Sequence, residues 1–260
     1  MVISMKIGVV GTGGIASAVV TGFCLSETTH EFFLSPRNAQ KSAALASDFS
    51  NVTVCTSNQE VVEKSDCIFI CLQKKDFAAL HELKYHPKLK VINMAAEMRL
   101  PDLKQIVGDA EVLAHVIPLP CIVMGIGPLL IYPENKEVGK LFAPVGDVYF
   151  AKNQKDVHTL QIVTGMMSAY YMLMQEVVKF ADDRGIEHED SVKFLCSLIG
   201  ALCQRPVLTG NTDLTELAND MTPGGYNEQA MNELTGNGAI GAWREALDNL
   251  LMRLQKSGHQ

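Results

Sequence analysis

The sequence predicts an α/β protein: an N-terminal Rossmann-like dinucleotide-binding domain followed by an all-helical domain. Three observations carry that expectation. A short apolar run, Ile7-Gly8-Val9-Val10, flows straight into Gly11-Thr12-Gly13-Gly14-Ile15-Ala16, giving strand, glycine turn and helix in the required order. Short apolar runs then alternate with helical patterns up to about residue 152. Beyond that point the strand signal disappears and helical periodicity takes over. The expected domains are therefore residues 1–152, which bind the dinucleotide, and 153–260, which are helical.

Each small residue of the first turn has its own physical job. Gly11 lets the chain leave the strand sharply, and Gly13 has no side chain to hold a pyrophosphate away from the backbone amides. Ala16 occupies the third position of a G-x-G-x-x-G/A pattern, where a small residue lets helix and strand pack closely. The apolar helix from Ile15 to Cys24 then points its unpaired N–H groups and partial positive charge at the phosphates. Gly11, Thr12, Gly13, Gly14, Ile15 and Ala16 are the first cofactor candidates.

The next strand, Glu31 to Leu34, decides which dinucleotide. It ends in Ser35-Pro36-Arg37-Asn38. An NAD-selective site places an acid there, roughly 20 residues after the glycines, to hold the ribose hydroxyls. No acid occupies this strand end. Ser35, Arg37 and Asn38 suit a 2′-phosphate instead, with Lys41 one turn further on. The expected cofactor is NADP (NADPH), with NAD as the alternative.

Six further strands follow at Val52–Cys55, Cys67–Leu72, Val91–Asn93, Val112–Val116, Leu129–Tyr132 and Val148–Phe150. Ser57 and Glu60 form an S-x-x-E capping box for a helix between the first two of these. Strands alternating with crossover helices predict a mainly parallel sheet that binds ligands at the carboxyl ends of its strands.

Composition narrows the class. A hydrophobic share of 47% in 260 residues leaves ample material for a core, and a net charge of -7 argues against nucleic-acid or anionic-membrane partners. No apolar stretch is expected to approach the roughly 20 residues that span a bilayer, and no signal peptide is expected. Seven cysteines at 24, 55, 67, 71, 121, 196 and 203 form no C-x-x-C pair. They read as reduced thiols, mostly small core fillers, in a cytoplasmic protein. The seven histidines show no metal spacing, so no metal site is expected.

In the helical half, Val163, Met167, Tyr170, Met174, Val178 and Ala181 read as one apolar helix face. Ile240, Trp243, Leu247, Leu250, Leu251 and Leu254 form another. Met166, Met167, Met172 and Met174 read as adaptable packing. So much apolar helix surface points to burial in a partner, by default a symmetric dimer. One segment, Asp220-Met221-Thr222-Pro223-Gly224-Gly225-Tyr226-Asn227, looks unlike packing. Thr222 is placed to cap the helix from Glu228 to Leu234, Pro223 suits its first position, and Gly224 and Gly225 leave amides bare for an anion such as a substrate carboxylate.

Together these features resemble the pyrroline-5-carboxylate reductase family over essentially the whole chain. Ser35-Pro36-Arg37-Asn38 looks like its turn for the NADP phosphate, and Cys71-Leu72-Gln73 sits where the family has Ala-Val-Lys. Met94-Ala95-Ala96 is similar to its Ile-Ala-Ala beside the nicotinamide, Thr222-Pro223-Gly224-Gly225 to its T/S-P-G-G turn, and Gly238-Ala239-Ile240-Gly241-Ala242 to a later helix start. The resemblance adds Cys71, Leu72, Gln73, Ala95, Ala96 and Pro118 to the cofactor candidates. It also implies a dimer formed through a helical domain that completes the substrate site.

The departures cluster where substrate is expected. The family's Met-Pro-Asn-Thr-Pro becomes Ile117-Pro118-Leu119-Pro120-Cys121, and its Ser-Gly-Ser-Gly-Pro-Ala-Tyr becomes Thr164-Gly165-Met166-Met167-Ser168-Ala169-Tyr170. Its hydroxyl pair after the glycines becomes Tyr226-Asn227. The implied reaction is NADPH-dependent reduction of the cyclic imine pyrroline-5-carboxylate to L-proline. Thr222, Gly224, Gly225, Tyr226 and Asn227 are expected to hold the substrate, with Thr222 and Asn227 as catalytic candidates. A protonated imine is already a strong electrophile, so the site needs near-attack geometry more than a powerful acid. The alternatives are another imine or carbonyl substrate, and a dimeric NADP-binding protein without turnover.

Overall fold

In the computed structural model, which describes residues 4–26 and 28–256, the alternating runs form one eight-stranded sheet. Residues 1–3 and 257–260 of the two expected domains, His259 among them, lie outside the described residues. The described chain divides into two compact units between Val157 and His158.

The first unit carries the sheet. Its strands are β1 (Lys6–Val10), β2 (Glu31–Leu34), β3 (Val52–Val54), β4 (Cys67–Ile70), β5 (Lys90–Asn93), β6 (Glu111–Ile117), β7 (Pro128–Tyr132) and β8 (Asp147–Phe150). They lie in the order β3-β2-β1-β4-β5-β6-β7-β8. Five helices connect them: α1 (Gly14–Leu25), α2 (Ala39–Asp48), α3 (Asn58–Lys64), α4 (Leu100–Val107) and α5 (Lys136–Phe142). The pairs are parallel except β6 with β7. Only a short 3₁₀ segment, Pro120–Met124, lies between β6 and β7, with no α-helical crossover to carry the chain back for a parallel return.

Alternation along the central strands makes two cores. Ile7, Val9, Cys67 and Phe69 face one, with Val19, Phe23 and Phe142 of α1 and α5. Val10, Ile68 and Ile70 face the other, with Val61, Val62 and Leu103 of α3 and α4. Burial on both faces is why these strands read as unbroken apolar runs. The chain passes from β1 to β2 on one side and reaches β4 on the other. That reversal makes the carboxyl ends of β1 and β4 a topological switch point.

Two local details depart from the sequence reading. Ser57 does cap α3, accepting from the Glu60 N–H at 3.1 Å. The Glu60 carboxylate, however, closes on the N–H and hydroxyl of Thr56, one residue before the cap. All seven cysteines are free thiols, but only Cys55 and Cys67 are buried, while Cys196 and Cys203 are exposed.

The helical part comprises α6 (Gln154–Thr164), whose first residues belong to the first unit, then α7 (Met167–Asp182), α8 (His188–Thr209), α9 (Leu214–Asn219), α10 (Tyr226–Gly236) and α11 (Ala239–Lys256). The apolar face expected to run from Val163 to Ala181 is split between two helices. Gly165 and Met166 donate three residues back, to Ile162 and Val163, and these tight bonds close α6 before α7 begins. Met166 is buried, but Met167 and Met172 are exposed, so the methionines are not a packed stripe within one chain. By length and composition alone helix α8 is long and apolar enough to cross a membrane, although Glu189, Asp190, Lys193 and Arg205 interrupt its apolar run. Its Phe194, Leu198 and Leu202 recur every fourth residue and are exposed, as are Tyr170, Val177 and Phe180 on α7.

Candidate functional site

At the switch point, the turn out of β1 is held by hydroxyls. Gly11 sits at φ +101°, a conformation L side chains rarely adopt. A Cβ there would also lie 2.8 Å from Leu72 Cδ2 and 2.9 Å from the Cys71 carbonyl oxygen. The Gly11 N–H donates to Ser35 Oγ at 2.9 Å. Thr12 Oγ1 donates to the Ser35 carbonyl at 3.2 Å and lies 3.2 Å from Ser35 Oγ. A hydroxyl has one hydrogen, so with Thr12 committed to the carbonyl the hydrogen between the two hydroxyls comes from Ser35. Every member is satisfied, and Thr12 and Ser35 are both buried.

This assigns Ser35 a bracing task instead of phosphate binding. Asn38 is likewise engaged: it caps α2, its side chain accepting from the Lys41 N–H. The basic groups that face outward are Arg37 and Lys41. Lys41 Nζ would stand 3.7 Å from a Cβ on Gly14, at the start of α1, while a Cβ on Gly13 would meet no atom within 4 Å. The first turn of α1 holds no acid and its cap makes no side-chain hydrogen bond. An open glycine cradle, unpaired N–H groups and a nearby amine fit a phosphate.

Arg37 is paired, which the local sequence did not announce. Its Nη2 donates to Asp76 Oδ2 at 2.6 Å, from the 3₁₀ segment Lys74–Leu80 after β4. The hydrogen bond raises the arginine and holds the Asp76 carboxyl below the usual range. At the end of β5, Asn93 is fully buried and shapes the next loop: its amide donates to the carbonyls of Ala95 and Met98, and its Oδ1 accepts from the Ala95 N–H. Ala95 is buried and Ala96 exposed at that loop. Cys71, Leu72 and Gln73 leave β4, and burial pushes the Cys71 thiol up to about 12, so it is an inert neighbour. Pro118 follows β6 and is buried. All the cofactor candidates thus gather along the carboxyl edge of the sheet. A separate cavity of about 420 Å³, lined by Met5, His30, Cys67 and Lys90, lies at the opposite, amino ends of the strands.

In the second unit, Thr222 does not cap a helix. Thr222-Pro223-Gly224-Gly225 is a turn closed by the Gly225 N–H on the Thr222 carbonyl at 2.9 Å. Proline second and Gly224 third at φ +71° match a type II turn. Gly225, not Thr222, precedes α10, so Pro223 lies outside the helix. Neither glycine amide is bare, because the Gly224 N–H donates to the Glu228 carboxylate. The amides of Tyr226 and Asn227, in the first helical turn, precede the first bond inside the helix. Tyr226 is 88% exposed. Among the described residues no cluster of metal-ligating side chains occurs.

Residues 6–97 match the family described as NADP oxidoreductase coenzyme F420-dependent. A pyrroline-5-carboxylate reductase of Pasteurella multocida is 26% identical, covering 86% of this chain and 87% of that protein. The 1-pyrroline-5-carboxylate reductase structure of Streptococcus pyogenes superposes with a TM-score of 0.83 at 20% identity, over 97% of this chain and 99% of that one. The Plasmodium falciparum pyrroline carboxylate reductase with NADP bound gives 0.80 at 18% identity, over 96% of both chains. The resemblance to pyrroline-5-carboxylate reductases thus spans nearly the whole chain, in sequence and in fold.

The braced turn makes a stability prediction. Gly11→Ala forces strain worth about 1–3 kcal/mol. Ser35→Ala strips the Gly11 N–H of its partner, costing about 1–3 kcal/mol. Denaturant unfolding should show both losses, whereas midpoints at the wild-type value would contradict the bracing role.

Proposed function

We propose that the chain is an NADPH-dependent reductase of a cyclic imine, with conversion of pyrroline-5-carboxylate to L-proline as its reaction. The observation that carries this is the open cradle at the start of α1, with Gly13 clear of neighbours and Lys41 beside Gly14, in a fold shared with proteins of that name. In this reading the first-turn amides of α1 take the pyrophosphate, Arg37 and Lys41 face the 2′-phosphate, and the loop at Ala95 and Ala96, with Pro118 after β6, borders the reactive ring. When bound, the cofactor supplies a hydride to the carbon of the C=N bond. The protein's own contribution is positioning, which is worth roughly 7–11 kcal/mol of barrier in well-oriented reactions.

For the substrate, the turn geometry moves the anchor. With the Gly224 and Gly225 amides engaged, the Thr222 hydroxyl and the amides of Tyr226 and Asn227 are the donors proposed for a carboxylate. The Asn227 side chain then lies next in line to orient the imine nitrogen. A second reading is favoured by Glu228, whose negative charge at this turn disfavours an anionic substrate. Under it the same cofactor reduces an imine that lacks a carboxylate.

The exposed stripes on α7 and α8 support self-association through the helical unit, at least to a dimer. Light scattering should report a mass above 28.4 kDa for the purified chain. The double change Phe194→Glu and Leu198→Glu should return it to a monomer, and a monomeric wild-type protein would remove the proposal.

The deciding assay follows NADPH oxidation with pyrroline-5-carboxylate and, in parallel, 1-pyrroline. Turnover that requires the carboxylate supports proline formation, while preference for 1-pyrroline supports the second reading. Binding of NADPH without turnover of either would overturn both and leave a non-catalytic binding protein.

A further inference from the structure

Arg37 and Asp76 approach each other from opposite sides of β1. Arg37 lies in the turn after β2, one neighbour of β1, and Asp76 lies after β4, the other neighbour. Their ion pair therefore bridges the carboxyl end of β1, where the glycine turn begins. The two side chains are unequally exposed, 67% for Arg37 and 15% for Asp76, so the guanidinium is the partner that an incoming ligand can reach.

From this geometry, and resting on the dinucleotide reading above, we propose that Asp76 is a specificity-determining residue. It competes with a ribose 2′-phosphate for Arg37 and accepts a ribose hydroxyl where that phosphate is missing. The physical argument concerns charge. A guanidinium already paired with a carboxylate presents little net charge, so a phosphate dianion gains less from it and is also repelled by Asp76. A 2′-hydroxyl, in contrast, donates to a carboxylate. That is the task of the acid at the end of β2 in NAD-selective sites. Here no acid follows β2, and the one at Arg37 arrives from the segment after β4. The pair thus lowers the discrimination that Arg37 alone would give.

Calorimetric titration of the full-length protein with NADP⁺ and NAD⁺ tests this without turnover. Asp76→Asn should tighten NADP⁺ and weaken NAD⁺, moving the ratio of dissociation constants by about fivefold. Arg37→Ala breaks the same pair from the other side and should weaken NADP⁺ while tightening NAD⁺. In the double variant the NADP⁺ gain from Asp76→Asn should vanish. An unchanged ratio in Asp76→Asn, or a gain that persists without Arg37, overturns the inference while the dinucleotide reading stands. Failure of the wild-type protein to bind either dinucleotide overturns both.

Discussion

The hydrogen-bonded hydroxyls of Thr12 and Ser35 set the geometry on which the rest of the site depends. They tie the turn after β1 to the end of β2, and Ser42 extends the tie by donating to the Ser35 carbonyl at 2.9 Å from within α2. Three elements are registered at one point, and the hydroxyls of Thr12, Ser35 and Ser42 there are buried and paired. A buried network of this kind is costly when broken and rigid when complete. Its consequence is the direction of α1. With Gly11 fixed at positive φ, the helix starts clear of its neighbours, and the space at Gly13 stays open while Lys41 stands at Gly14.

The same point explains how much of the site was legible. The glycine turn, the central strands and the start of the helical half were readable because each is a local pattern with one physical meaning. Ser35 was not, since a hydroxyl after a strand serves equally as ligand or brace. Its partners Gly11 and Thr12 lie more than twenty residues away in the chain. Asp76 was hidden for the same reason, being 39 residues from Arg37. A search for acids at the end of β2 alone misses one supplied by a neighbouring connection. Asn93 carried a faint signal, a polar residue closing an apolar strand, that points to loop shaping.

In the helical unit, periodicity overran its evidence. Spacings of three and four continue from Val163 into α7, but Gly165 breaks the helix between them. At Thr222 the T-P-G-G letters fit a capped helix start and a type II turn alike. Glu228, an acid four residues after Gly224, selects the turn by taking its amide. The apolar face of α7 was visible and that of α8 was not singled out, and in both only exposure distinguishes a docking face from a core.

The central claim is that the carboxyl edge around the α1 start receives a dinucleotide. Hydrogen exchange with and without NADPH tests it most directly, because backbone amides are the proposed ligands. The account predicts protection confined to residues 11–16, the turn from Ser35 to Lys41 and the loop from Met94 to Met98. Protection at the cavity lined by His30 and Lys90 instead, or none at saturating NADPH, would contradict it.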